Sequence, residues 1–133
     1  MEYRNIETLG AAPSLLGYGC MRFPTLDDES IDEPQARRLL DRAIEGGVNY
    51  FDLATAEGRT FGYFGKALAD VRSQVHYQVH FGAFYQGGGS YGWTTDGETI
   101  RRSIDWQLTR LGTDYIDYGF LHCLDEVSDW EDY

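Results

Sequence analysis

The sequence predicts an α/β fold with parallel strands, on three observations. Short apolar runs bounded by proline or glycine alternate with stretches of helical periodicity. Their order is strand, helix, strand, helix, strand, helix, strand, the alternation that parallel sheets require. The helical stretches also carry recognisable stop and start residues. The chain has 133 residues, of which 42% are hydrophobic and 15% aromatic, enough for one domain (1–133) with its own core.

The first strand is predicted at Leu15–Cys20 (LLGYGC), an apolar run between Pro13 and Pro24. Ala36, Leu39, Leu40, Ala43 and Ile44 recur at helical spacing. Asp32 before Pro34 starts this first helix and Gly46-Gly47 ends it. Val48–Asp52 (VNYFD) is the second strand, and Phe64, Leu68 and Val71 mark one face of a second helix. Val75–Phe81 (VHYQVHF) is the third strand. Three consecutive glycines within Gln86–Asp96 predict an irregular loop, placing Tyr91 and Trp93 as contacts over the rim. A capping box at Thr95-Asp96-Gly97-Glu98 opens the third helix, with Ile100, Ile104, Leu108 and Leu111 as its stripe and Gly112 as its stop. Tyr115–Leu121 (YIDYGFL) is the fourth strand. Periodicity alone leaves open whether these units curl into a barrel or form a small doubly wound sheet.

Charge and composition narrow the function classes. Eleven basic residues face 22 acidic ones, a formal net charge of −11, which argues against a nucleic-acid or anionic-membrane surface. Five of those carboxylates crowd into 121–133 (LHCLDEVSDWEDY), an acidic C-terminal segment. No apolar run reaches the roughly 20 residues of a membrane span, and MEYRNIETLG has no secretory apolar stretch. Cys20 and Cys123 match no metal-knuckle spacing. The expectation is a cytoplasmic protein with reduced thiols.

Parallel α/β folds collect reactive groups at the C-terminal ends of their strands. Those ends carry Gly19-Cys20-Met21, Asp52, His80 and His122-Cys123. Side chains alternate along a strand, so Asp52 shares a face with Tyr50 and Val48, His80 with Gln78 and His76, and His122 with Phe120 and Tyr118. The opposite face (Phe51, Val75, Tyr77, Val79, Leu121) suits packing against helices, and on it Asp117 is an anomaly. A single histidine at a strand end is ordinarily structural, and a single aspartate there a turn cap. Asp52, His80 and His122 on one rim make a candidate site.

EYRNIETLGAAPSLLGYGCMRFP, AIEGGVNYFDLATAEG, FGKAL and LGTDYIDYGFLHCLDE together resemble the N-terminal part of a bacterial aldo/keto reductase, over Met1 to about Trp130. The likeness is greatest to the branch whose longer members carry a ferredoxin-like iron–sulfur segment. GYGCMR, NYFD and TDYIDYGFLH are specific in combination. The resemblance implies a TIM-type (β/α)8 barrel, of which this chain supplies about half: four strands and three helices. It further implies NADP(H) or NAD(H) as hydride donor, with contacts from Gly19, Cys20, Met21 and Asp52, and a small-molecule carbonyl as substrate. An Asp-Tyr-Lys-His tetrad serves the family. Hydride passes to the carbonyl carbon, Tyr protonates the oxygen, a Lys paired with Asp lowers the Tyr pKa, and His orients the carbonyl.

Matched residue by residue, the tetrad aspartate is Asp52 and the histidine His122. Glu57 stands where the family has Tyr, and His80 where it has Lys. Ten of the eleven basic residues are arginine, and the one lysine, Lys66, falls on the second helix. Tyr63 and Tyr85 lie nearby in sequence but not at the donor position. His80 as imidazolium could replace the lysine charge below a pKa of about 6.5, and a protonated Glu57 could donate to an oxygen. The cysteines of an iron–sulfur segment are missing, so no cluster is expected. Half a barrel leaves strand edges uncovered, which predicts pairing with a second copy or with further chain. Two other readings stay open. One is a non-catalytic half-barrel that binds a partner by its edges; the other is a metal site from His80, His122, Asp52 and Glu57, joined by Cys20 or Cys123.

Overall fold

The computed structural model describes residues 1–53, 59–85 and 91–121. Four parallel strands form one sheet: β1 (Tyr18–Gly19), β2 (Tyr50–Asp52), β3 (His76–Phe81) and, after a hairpin, β6 (Tyr118–Leu121). Their spatial order is β1-β2-β3-β6. Helices α1 (Glu33–Glu45), α2 (Arg59–Ala67) and α3 (Gly97–Leu111) lie between successive sheet strands in the chain. The remaining strands, β4 (Ala83–Tyr85) and β5 (Tyr91–Trp93), pair antiparallel as a separate hairpin between β3 and α3. The expected partial α/β barrel of four parallel strands and three helices is present.

Local chemistry accounts for most boundaries. Asp32 accepts from the Gln35 amide at 3.0 Å, and Pro34 in the first turn of α1 gives up no helical hydrogen bond. Beyond the helix Gly47 turns with φ +87°, where a side chain would be strained and a Cβ would meet the Tyr3 hydroxyl at 2.7 Å. The stop of α3 is Gly112, in the left-handed region, with its amide donating back to Leu108 and Thr109.

The core fills the space between sheet and helices. Phe51, Tyr77 and Val79 point to the helix side, as strand parity predicts, and are buried with Leu40, Phe64 and Leu68. The Phe64 ring lies 5.5 Å from Phe51 and 5.1 Å from Tyr77. Truncating such a ring costs about 3–5 kcal/mol.

Several expectations are corrected. Leu15 and Leu16 do not extend the first strand: they form a bend and are 55% and 62% exposed. Ser14 and Asn49 fix the chain there instead, the Ser14 amide donating to Asn49 Oδ1 at 2.7 Å. Val71 lies beyond α2, in a 3₁₀ turn over Ala69–Gln74. Trp93 does not belong to an irregular loop, because its backbone pairs with Ala83. The glycines 87–89 lie outside the described residues. Helix α3 is capped by Asp96, not Thr95: its side chain accepts from the Thr99 amide at 2.8 Å. Its buried line is Ser103, Gln107 and Leu111, with Ile100, Ile104 and Leu108 only half-buried beside it. Polar residues fit there because Ser103 Oγ donates to the Ala83 carbonyl at 2.6 Å and Gln107 donates to Ser103 at 3.1 Å, satisfying backbone in the hairpin.

Asp117 is no anomaly either. It precedes β6, at the N-terminal end of the sheet, and accepts from the Tyr77 amide at 2.8 Å and from Arg72 Nη2 at 2.9 Å. Arg72 also donates to the carbonyls of Val75 and Tyr115, both at 3.0 Å, and its guanidinium lies between the Tyr77 and Tyr115 rings. Charge, hydrogen bonds and ring faces thus fix the register of β6 on β3.

Candidate active site at the C-terminal rim of the sheet

The rim is assembled by backbone register. Gly19 pairs with Asp52, and Asp52 with Gln78, so His80 lies two residues further along β3 on the same face. The Cys20 amide donates to the Asp52 carbonyl at 2.8 Å and the Leu53 amide to the Gln78 carbonyl at 2.9 Å. The ends of β1 and β2 and the middle of β3 are thereby tied at one level.

Asp52 and His80 meet across this register, with Oδ1 3.0 Å from Nε2. The aspartate side chain is 37% exposed and the histidine side chain 12%, so the carboxylate is the member open to the rim. Gln78 lies beneath the pair, its amide nitrogen 2.9 Å from the same Nε2, and the Tyr50 hydroxyl donates to Gln78 Oε1. The Phe120 ring stacks on His80 at 6.3 Å. Tyr118 lies against Tyr50 at 5.3 Å and against His76 at 5.8 Å.

The electrostatics suit a site that holds protons. Burial, and then the charges of Asp52 and Tyr118, raise the Tyr50 pKa above the usual phenol value, so Tyr50 remains a hydroxyl donor at neutral pH. The Tyr118 hydroxyl is buried with no hydrogen-bond partner among the described residues. Burial and the charge of Asp52 push the Cys20 thiol well up. Its side chain is fully buried, which leaves Gly19 and Met21 as the exposed residues of that strand end.

Of the residues expected on the rim, Asp52 and His80 are brought together. Glu57, His122 and Cys123 lie outside the described residues. Lys66 is on α2, 3.4 Å from Glu33, and Tyr63 donates to the Glu33 carbonyl at 3.1 Å, so both serve the packing of α2 on α1. Tyr85 stacks on Trp106 at 4.9 Å, in the hairpin-to-α3 packing. Among the described residues no three His, Cys, Asp or Glu side chains gather as metal ligands would. No helix among them is long and apolar enough to cross a membrane. Sequence reasoning placed Tyr50 and Gln78 on this face but assigned them no part in the site. The available signal was a glutamine in mid-strand, between two buried apolar neighbours.

Comparison with known proteins agrees with this architecture. The sequence model of the aldo/keto reductase family matches residues 15–133. An uncharacterized oxidoreductase of Bacillus subtilis, YqkF, is 34% identical over 126 residues, covering 92% of this chain and 39% of its own length. The solved holo form of an aldo-keto reductase from Bacillus halodurans superposes with a TM-score of 0.78 at 31% identity, over 97% of this chain and 43% of that one. A Klebsiella pneumoniae aldo-keto reductase solved with NADPH shares the fold at a TM-score of 0.66 and 20% identity, over 92% of this chain and 41% of its own. The chain thus spans about 40% of the length of curated relatives of this kind. With its parallel half-barrel and its rim aspartate, this chain belongs to the aldo/keto reductase family.

Proposed function

We propose that this chain carries the N-terminal, acid–base part of an aldo/keto reductase site that reduces a small-molecule carbonyl to an alcohol with NADPH or NADH. The observation that carries this reading is the Asp52–His80 pair at 3.0 Å, on neighbouring strand ends where the family sets its aspartate beside its lysine. The residues present also fit a flat ring. A Cβ at Gly19 would meet nothing within 4 Å, Met21 is 48% exposed, and the Asp52 side chain reaches the surface. Gly19, Met21 and Asp52 would hold the nicotinamide end.

When bound, the nucleotide supplies the hydride for the carbonyl carbon. This chain's residues serve the oxygen. Asp52 and His80 hold a proton at the rim, Glu57 in the tyrosine position passes it on, and His122 orients the carbonyl. Four more strands are needed to close a (β/α)8 barrel. They come from further chain or from a second copy that covers β1 and β6, the end strands of the sheet. The setting is cytoplasmic.

Titration with NADPH and NADH, read by tryptophan quenching, followed by carbonyl-dependent loss of nucleotide absorbance, tests this reading. Saturable binding is expected, and Asp52→Ala and His80→Ala should each lower turnover on the order of 10²-fold or more. Unchanged turnover in both variants would overturn it. The second reading, an interaction module without chemistry, is favoured by exposed Leu15, Leu16 and Phe120. It expects a stable dimer or heteromer with no nucleotide affinity.

A further inference from the structure

The β4–β5 hairpin and α3 border a cavity of about 590 Å³, within the usual range for small-molecule sites. Strand pairing and helix spacing account for its lining. Ala83 pairs with Trp93, and Tyr85 follows two residues on, so these three share one face of the hairpin. That face looks onto α3: Ser103 Oγ donates to the Ala83 carbonyl at 2.6 Å, and Tyr85 stacks on Trp106 at 4.9 Å. On α3, Thr99, Arg102, Ser103 and Trp106 stand at i, i+3, i+4 and i+7, one side of the helix. Where hairpin and helix touch, Ala83 and Ser103 are small and buried, and the large rings of Tyr85, Trp93 and Trp106 line the space beside them.

The lining is aromatic, with one strong donor. Aromatic rings offer faces and edges to another flat ring. Ser103 adds no donor, because its hydroxyl donates to Ala83 and accepts from Gln107. Arg102 does. It bonds Glu98 Oε1 through Nη1 at 3.3 Å and Thr99 Oγ1 through Nη2 at 3.0 Å. A guanidinium carries about five N–H groups, so donors are left for an oxygen brought into the cavity. Glu98 already balances the Arg102 charge, which favours a neutral acceptor over a carboxylate.

We propose that this cavity is a second binding site, for a flat aromatic molecule that carries a neutral carbonyl oxygen. The rings hold its faces and Arg102 donates to the oxygen. The site shares no residue with the Asp52–His80 rim and stands apart from the carbonyl-reduction reading.

Titration of the ¹⁵N-tryptophan-labelled chain with benzamide, read at the indole N–H signals, tests this; Trp93→Leu and Trp106→Phe assign the two signals. Both should move together and saturate in the millimolar range expected of so small a ligand. Cyclohexanecarboxamide, which has the same acceptor but no flat ring, should bind about fivefold more weakly or worse. Arg102→Met, at an exposed position, keeps the stem but removes the donor, and should weaken benzamide about fivefold or more. Asp52→Asn should leave the binding unchanged. Circular dichroism reports that each variant has folded. Signals that do not saturate, or equal affinity for the two amides, would overturn the proposal. So would benzamide binding that is kept in folded Arg102→Met or lost in folded Asp52→Asn.

Discussion

Replacing Arg72 by alanine should be among the most damaging single changes in this chain. Its side chain is 12% exposed and that of Asp117 18%, so the pair is largely withdrawn from water. Breaking a buried ion pair by removing one partner costs about 3–5 kcal/mol, since the other charge is left behind. Here the residual carboxylate keeps the Tyr77 amide at 2.8 Å and His76 Nδ1 at 3.4 Å, which favours the lower end of that range. Two ring contacts, at 4.0 and 3.9 Å, are lost as well, each worth about 0.5–1 kcal/mol or more. Together these give a loss of about 4 kcal/mol, a large part of a domain's typical stability. Urea unfolding followed by tryptophan fluorescence measures it as a fall in midpoint at constant slope. Arg72→Ala combined with Asp117→Asn should lose less than the sum of the two single changes, because no charge is stranded. A loss under about 1 kcal/mol for Arg72→Ala, or strict additivity in the double variant, would refute the clamp.

Gly65→Ala should destabilise rather than stabilise, although alanine is the better helix former. The added Cβ would lie 2.3 Å from the Leu111 carbonyl oxygen, a backbone atom, and forcing the α2–α3 contact apart costs about 1–3 kcal/mol; thermal unfolding gives the sign. In alkali, Cys20 and Tyr77 should weaken the fold: burial raises both pKa values, with Asp52 adding to the effect at Cys20 and the Arg72 charge partly opposing it at Tyr77. The sign follows from linkage: their contribution is full below the unfolded thiol pKa of about 8.5 and is lost as pH rises past it, so the urea midpoint should fall above about pH 9. In a Cys123→Ser background, Cys20 should resist a thiol reagent in buffer and react at once in urea.

Much of the fold was legible because burial repeats with a period. Two-residue alternation put Phe51, Tyr77 and Val79 on the helix side, and Asp32 with Pro34 fixed the start of α1. What periodicity missed was set by pairing and satisfaction rather than hydrophobicity. Leu15 and Leu16 read as a buried strand, but strand length there is limited by the two residues of β1 that find partners on β2. The buried line of α3 includes Ser103 and Gln107 because hairpin backbone needs donors, and a composition rule has no means of seeing a carbonyl 20 residues upstream. Asp117 looked misplaced only while the strand was drawn from Tyr115; begun at Tyr118, it leaves the carboxylate free to bind Arg72.

The site was legible to the level of parity and no further. Strand ends and alternation suffice to set Asp52 and His80 on one rim, but their distance follows from register, a property of pairs of strands. A lysine reaches out on a flexible stem, whereas the imidazole of His80 stays close to its strand end, stacked on Phe120 and 3.0 Å from the Asp52 carboxylate. Gln78, two residues back on the same face, is bonded to the Tyr50 hydroxyl of the neighbouring strand. The spacing of the pair is therefore a property of the sheet, which the pattern along any one strand does not record.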